Sequence, residues 1–300
     1  MDRRTFVAGA AALGALGLAG CTPRPSPFGF PGETGRAEGG VRATPAGPRA
    51  SGTASSPPEP LPSPVPSPSP APSPTVSPIP ALVPYGPYAG PTAPLPAPGT
   101  VITRLPFDGD YLAWTVDDGA DPAVIRAYAE MAAATGIRLT FFANGMYPGW
   151  KAAADVLLPL VRSGQVVIGN HTYSHTALTK LSDAGIRAEL TRNDRYLTDL
   201  FGVSPKPFYR PPYGYRNART DRVAASIGYT VPVMWYGSLS DSGRISPDQV
   251  VSFAEEYFLP RHIVIGHANF PGVVSAFPRL RDILIQRNLR PVTLRDVYRI

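Results

Sequence analysis

From residue 101 onward the chain alternates between two hydrophobic rhythms: short apolar runs, and longer stretches with an apolar position every three or four residues. Residues 111–116, 138–143, 166–169, 208–209, 230–235 and 263–266 read as strands. Residues 122–135, 150–163, 182–201, 218–227, 247–258 and 276–288 read as helices. Punctuation agrees with these limits. Pro122 stands in a first helical turn, Ser182 is a natural N-cap, and Gly164 and Gly202 follow helix ends. Strands that alternate with helices form a parallel sheet, because each parallel return needs a crossover. The pattern predicts an α/β fold with a parallel sheet, and around seven such units suggest a barrel-like closure whose chemistry gathers at the C-terminal strand ends.

Composition separates the first hundred residues from the rest. Of 38 prolines, 24 precede residue 101. Every second residue of 57–80 is proline on average, which removes amide donors and favours solvated polyproline II over helix or sheet. Those 24 residues would span about 75 Å as a semi-rigid spacer. The expected organisation is a signal at 1–21, a disordered Pro/Ser/Ala-rich linker at 22–100, and a globular domain at 101–300. The net charge of +6 includes no basic run, so nucleic acid is not an expected partner, and a monomer is expected.

Arg3-Arg4-Thr5-Phe6 precedes an uncharged stretch at 7–20 that is too short and glycine-rich for a stable membrane span. The paired arginines resemble a twin-arginine export signal. Leu18-Ala19-Gly20-Cys21 resembles the bacterial lipoprotein box, which implies a diacylglycerol on the Cys21 sulfur. Cys21 is the one cysteine, so no internal disulfide can form. Several acyl chains, at about 0.8 kcal/mol per buried methylene, would suffice for anchoring. The expected location is outside the cell, lipid-anchored on the outer face of the membrane.

The chemistry-bearing residues fall at the ends of the predicted strands. Asp117-Asp118-Gly119 follows the first, Asn170-His171 and His175 the third, and Arg210-Pro211-Pro212-Tyr213 the fourth. Asp241 comes six residues after Trp235, and His267 ends the last strand. Three of the chain's four histidines occupy these positions; His262 precedes its strand, on the opposite rim. His171 and His175 are four apart, a spacing that on one helical turn puts both imidazoles on one face. Thr172 stands where a zincin motif needs Glu, so the third ligand must come from elsewhere, and a carboxylate at a neighbouring strand end is the natural candidate. Two histidines and a carboxylate leave an open catalytic position. Zinc suits the imidazoles, with cobalt, nickel or manganese as alternatives.

The ordered segments Thr115-Val116-Asp117-Asp118-Gly119, His171-Thr172-Tyr173-Ser174-His175, Arg210-Pro211-Pro212-Tyr213, Asp241 after Trp235-Tyr236-Gly237-Ser238-Leu239-Ser240, and Ile263-Val264-Ile265-Gly266-His267 resemble the polysaccharide deacetylases of the NodB-homology type, carbohydrate esterase family 4. Thr140-Phe141-Phe142-Ala143-Asn144-Gly145 is similar to a further signature of that family. The resemblance spans residues 103–300. It implies a distorted (β/α) barrel, here of about seven parallel strands, that binds one divalent metal ion and hydrolyses N- or O-acetyl groups on glycans. By the same match Asp117 is the general base and Asp118, His171 and His175 hold the metal. Arg210 positions the base, the Tyr213 backbone N–H serves the oxyanion, and Ile265 lines the acetyl pocket. His267 is the general acid, held by Asp241.

Val116, Ser238, Ser242 and Ala268 depart from the family pattern. Ser242 matters most, because the family often has a tryptophan there, walling the acetyl pocket. The implied substrate is an acetylated glycan, with peptidoglycan expected as the first polymer outside the membrane. An O-acetyl esterase and a glycan-binding pseudoenzyme are the competing readings, and the retained base, ligands and acid argue against the second. Cys21→Ala is expected to shift the exported protein from membrane to soluble fraction. Fractionation checks this, and membrane association that survives the substitution would place the anchor elsewhere.

Overall fold

The computed structural model describes residues 90, 91 and 93–300. The expected signal, Cys21 and the linker up to residue 89 lie outside the described residues. In chain order the elements begin with β1 (Leu95–Pro96), β2 (Tyr111–Asp118), α1 (Pro122–Thr135), β3 (Leu139–Ala143), α2 (Gly149–Ala152), α3 (Ala154–Arg162) and β4 (Val166–Asn170). They continue through α4 (Asp183–Phe201), β5 (Phe208–Tyr209), α5 (Ala218–Ala225), β6 (Val231–Pro232), β7 (Gly237–Ser238) and α6 (Pro247–Tyr257). The last are β8 (Ile263–His267), α7 (Gly272–Gln286), β9 (Arg290–Pro291), α8 (Leu294–Val297) and β10 (Tyr298–Arg299).

Seven strands run in the order β6-β5-β4-β3-β2-β8-β7, every neighbouring pair parallel, and β9 pairs the start of β2. This is the predicted α/β arrangement of seven parallel strands, in the form of a half-barrel. Among the described residues no ladder joins the end strands β6 and β7, which residues 233–236 connect.

Alternation along the central strands sorts side chains to two sides. Leu112, Trp114 and Val116 of β2 join an outer core with α1, α3, α6 and α7. Ala113 of β2, Phe142 of β3 and Ile263 of β8 belong to a second cluster inside the curve. Ala113 pairs with Ile263, Thr115 with Ile265, and Asp117 with His267. The inner side therefore passes from apolar at the strand starts to ionisable at the strand ends.

Local signals explain the helix limits. Asp121 accepts from the Ala123 N–H before α1, and Ser182 from the Gly185 N–H before α4. Both helices end on a left-handed glycine, Gly136 and Gly202. Capping boxes of Asn217 with Thr220 and Ser246 with Gln249 open α5 and α6.

Four expectations need correction. The helix predicted over 150–163 is broken at Ala153, because the Trp150 indole is fixed to the Asp118 carbonyl while α3 turns Leu157, Leu160 and Val161 inward. The strand predicted over 230–235 keeps only two ladder residues. Pro232 has no N–H to give, and the Met234 N–H goes to the Ile102 carbonyl instead. Helix α7 begins four residues before the predicted start, so that Val273 and Val274 join the buried face. Finally, the tail of the expected linker packs with the domain: β1 pairs β10, and Ala97 lies against the inner cluster.

Gly169 of β4 is required by packing, since a Cβ there would sit 2.5 Å from the Phe142 ring. Gly169→Ala is expected to destabilise by about 1–3 kcal/mol, the range for overpacked cores. Urea denaturation checks this, with Gly202→Ala compared for backbone strain alone; Gly202 has nothing within 4 Å of its Cβ position.

Candidate metal centre and catalytic dyads

The Asp118 carboxylate stands at the end of β2. His171 Nε2 lies 3.3 Å and His175 Nε2 3.2 Å from its Oδ1, and the three ligand atoms fall within 4.8 Å of one another. The structure thus supplies the neighbouring carboxylate that the histidine spacing demanded. It does not supply the helical turn. His171–His175 is a loop after β4, with Thr172 and His175 at φ 67° and 58°. The left-handed residues fold the loop back, and the Thr172 hydroxyl accepts from the His175 N–H at 3.1 Å.

The donor set fits a cation. His171 Nδ1 donates to the Arg210 carbonyl at 2.7 Å, so the neutral ring presents a bare lone pair at Nε2. That lone pair faces Asp118 Oδ1, a buried oxygen without a hydrogen-bond donor. Two acceptors this close repel unless a positive charge lies between them. Burial alone would raise the Asp118 carboxyl pKa; contacts with His171 and His175 and the charges of His171 and His267 outweigh it and hold the group well below the usual range. For His171, burial is opposed by the charge of Asp117 and by Asp118, with a net upward shift. The Asp118 shift reports the imidazoles around it, and the His171 shift reports the two carboxylates it faces.

Asp117, next along β2, is buried on the inner side. Its Oδ1 accepts from Arg210 Nη1 at 2.6 Å. The same Nη1 reaches the Thr115 hydroxyl at 2.9 Å, Nε reaches the Val233 carbonyl at 2.9 Å, and the guanidinium carbon lies 4.2 Å from the Phe142 ring centre. Burial pulls the Arg210 pKa down from its ordinary value, and Asp117 opposes that pull.

His267 ends β8 on the same rung as Asp117. Asp241 holds it at two points, accepting from the His267 backbone N–H at 3.1 Å and pairing with Nδ1 at 3.0 Å. Burial would lower the His267 pKa, but hydrogen bonding to Asp241 and the charges of Asp241, Asp117 and Asp118 leave it raised. Ile265 is buried two residues before, paired with Thr115. Tyr213 is 56 % exposed, with φ 60°, and its ring lies 4.5 Å from that of His175. Tyr215, 41 % exposed, lies beside it.

The structure therefore brings Asp117, Asp118, His171, His175, Arg210, Asp241 and His267 together, with Tyr213 at the rim. His262 stays apart, ring to ring with Tyr236 at 4.3 Å and bonded to the Tyr257 carbonyl. Ser242 is exposed, so it walls nothing. Tyr236 turns away toward Arg104, and Trp235 lies against Gly214.

Sequence reasoning missed the residues that hold the loops. Trp150 Nε1 donates to the Asp118 carbonyl at 3.0 Å, and Asn269 Nδ2 to Asp118 Oδ2 at 2.6 Å. Asn144 donates to the His171 and Thr172 carbonyls, and Asn193 to the Ala143 carbonyl and to Asn170 Oδ1. Asn193 left a readable trace: it interrupts the buried stripe Ile186, Leu190, Leu197, Phe201 of α4.

Residues 105–232 match the family described as polysaccharide deacetylase. The match includes Asp117, Asp118, His171, His175, Arg210 and Tyr213 and ends before Asp241, Ile265 and His267. The chain is 26 % identical over 197 residues to a peptidoglycan-N-acetylglucosamine deacetylase of Bacillus cereus, covering 64 % of this chain and 70 % of that protein. It is 33 % identical over 135 residues to a chitin deacetylase of Pestalotiopsis sp, covering 44 % of each. A family 4 carbohydrate esterase from Streptomyces lividans, solved with acetate, superposes with a TM-score of 0.54 at 27 % identity, over 61 % of this chain and 91 % of that one.

Removing one ligand of three leaves too few for an open metal site. Asp118→Ala and His171→Ala are each expected to lose the bound divalent ion. Elemental analysis of the purified variants checks this; full occupancy in His171→Ala would place the metal elsewhere.

Proposed function

The chain carries a polysaccharide deacetylase domain of carbohydrate esterase family 4, and from that premise we propose that it removes N-acetyl groups from an extracellular amino-sugar polymer, peptidoglycan. The observation that carries this reading is one constellation. Asp118, His171 and His175 converge within 4.8 Å, flanked by the Asp117–Arg210 pair and the Asp241–His267 pair.

A divalent ion, zinc by the softness of two imidazoles, would be held by Asp118, His171 and His175 and would supply Lewis-acid polarisation and ease deprotonation of water. The remaining work belongs to side chains. Asp117 takes the proton of the attacking water, and Arg210 fixes the carboxylate's orientation through Nη1. The Tyr213 N–H donates where negative charge develops on the carbonyl oxygen. His267 protonates the departing amine, with Asp241 fixing the ring through Nδ1 so that Nε2 faces the reaction. An amine leaves poorly unless protonated, so a histidine held this way favours amide over O-acetyl ester hydrolysis. Ile265 lines the pocket for the acetyl methyl.

Peptidoglycan is supported by three features. The Bacillus cereus relative bears that activity in its name. Exposed Ser242 leaves the Asp241 side open, with room for substituents beside the acetamido group. An anchor at Cys21 and a proline stalk would place the domain against the wall from the outer membrane face.

Asp117→Asn and His267→Ala should keep metal and lose turnover by roughly 10²–10⁴-fold, the range of general acid–base catalysis. Near-wild-type rates in both would sink the assignment. Because the acid form of His267 is needed and its pKa is raised, activity should persist below that pKa and fall as pH rises through it. Asp241→Asn removes the main upward influence, so the alkaline limb of kcat/KM should move to lower pH. For substrate, acetate release from peptidoglycan fragments and chitotetraose should favour the former, and Ser242→Trp should reduce that preference. A wild-type preference for chitotetraose that Ser242→Trp leaves unaltered overturns the wall reading.

A further inference from the structure

Asp241 receives both of its described hydrogen bonds from a single residue, His267. A carboxylate has room for about four donors. Behind β8, on the side facing the helices, lies a polar group that the proposed chemistry does not use. Tyr128 of α1 is fully buried among Trp114, Phe141 and Phe277, and its hydroxyl has no hydrogen-bond partner among the described residues. The Trp114 indole N–H, also without a well-formed partner, neighbours this hydroxyl, but as a donor only it leaves the phenol's own proton unplaced. Buried hydroxyls are rarely left this way, because an unmade hydrogen bond costs about 1–3 kcal/mol.

Gly266 shows where the hydroxyl is directed. A Cβ at that position would meet Tyr128 Oη at 3.1 Å and Asp241 Oδ2 at 3.5 Å, so the phenol and the carboxylate border the same small space. Any larger residue at 266 would fill it. Burial first, and then the negative charge of Asp241, push the Tyr128 pKa far up, while Trp114 opposes them. The hydroxyl thus keeps its proton and has a carboxylate nearby to receive it.

We propose that Tyr128 is a positioning residue for the proton-donating dyad: its hydroxyl donates toward Asp241 Oδ2 across Gly266 through one bound water. The bond fixes the carboxylate from the side opposite His267, so that Oδ1 stays aligned with Nδ1. This rests on His267 acting as the general acid, and the test separates the two ideas.

Tyr128→Phe in the full chain removes the hydroxyl and keeps the ring. If the hydroxyl serves Asp241, Tm should fall by about 2–4 °C, the effect of one hydrogen bond in a domain of this size. On chitotetraose, kcat should fall about fivefold with KM and metal content unchanged, the same bond expressed in the rate. In an Asp241→Ala background the Tm effect of Tyr128→Phe should vanish. A hydroxyl without a role would give the opposite sign, since removing an unsatisfied buried group leaves Tm unchanged or raises it. That result, a Tm loss that persists in Asp241→Ala, or a wild-type kcat overturns the proposal. The Tm cycle reads the hydrogen bond even if His267→Ala retains turnover and the catalytic reading fails.

Discussion

Taking the Arg210 guanidinium out of water costs several kcal/mol in lost hydration, and only contacts on all its sides offset that. Here they come from every neighbouring strand. Thr115 and Asp117 of β2 accept from Nη1, the Val233 carbonyl after β6 accepts from Nε, and Phe142 of β3 covers one face. The main chain of the same residue is engaged too. Its N–H bonds to the Asn170 carbonyl at the end of β4, and its carbonyl takes the His171 Nδ1 proton. One residue thereby aims the proposed base and selects the tautomer of a proposed metal ligand. A lysine would keep the charge and lose the fork of donors that reaches Asp117, Thr115 and the carbonyls of Val233 and Met234.

Much of this was legible in the chain. Apolar runs marked β2, β3, β4 and β8, because central parallel strands are buried on both faces and carry few polar residues. Reading their ends located Asp117, Asp118, His171, Arg210 and His267 without any contact being known. The two-residue strands β5, β6 and β7 were harder, since two residues have no periodicity. The loop from His171 to His175 was misread as a helical turn because a four-residue spacing says only that two residues can meet, not which backbone path brings them together. Trp150, Asn193 and Asn269 act across 32, 50 and 151 positions of sequence. Pairings at that range follow from the assembled sheet, which local pattern does not contain.

The backbone around the site is unlike the rest of the domain. Seven non-glycine residues among those described have positive φ, and five of them, Asp118 at the end of β2 and Thr172, His175, Tyr213 and Ser240 in the loops, lie at the site. Such conformations cost of order 1 kcal/mol each and persist where surroundings fix them. Trp150 fixes the Asp118 carbonyl, Asn144 and Asn170 fix Thr172, the Thr172 hydroxyl fixes the His175 N–H, and the Ser238 hydroxyl fixes the Ser240 N–H. A stiff outer ring of side chains therefore holds loops in shapes they would not adopt alone, and the ligand atoms are preorganised as a result.

The pairing of Asp117 with His267 on adjacent strands constrains how this sequence can lengthen or shorten through evolution. Side chains on a strand change sides at every step. One residue gained or lost inside β2 would send Asp117 into the helix-facing core and bring Val116 or Asp118 to the rung opposite His267. A change of that kind inside β8 would replace His267 on the rung with Gly266 or Ala268, neither of which can carry a proton. Gains and losses should therefore accumulate in the loops beyond the strand ends, as in the stretch between Asp241 and Ser246, where no such parity is kept. Lineages of this domain are free to remodel the walls that meet the polymer while the spacing within two strands stays fixed.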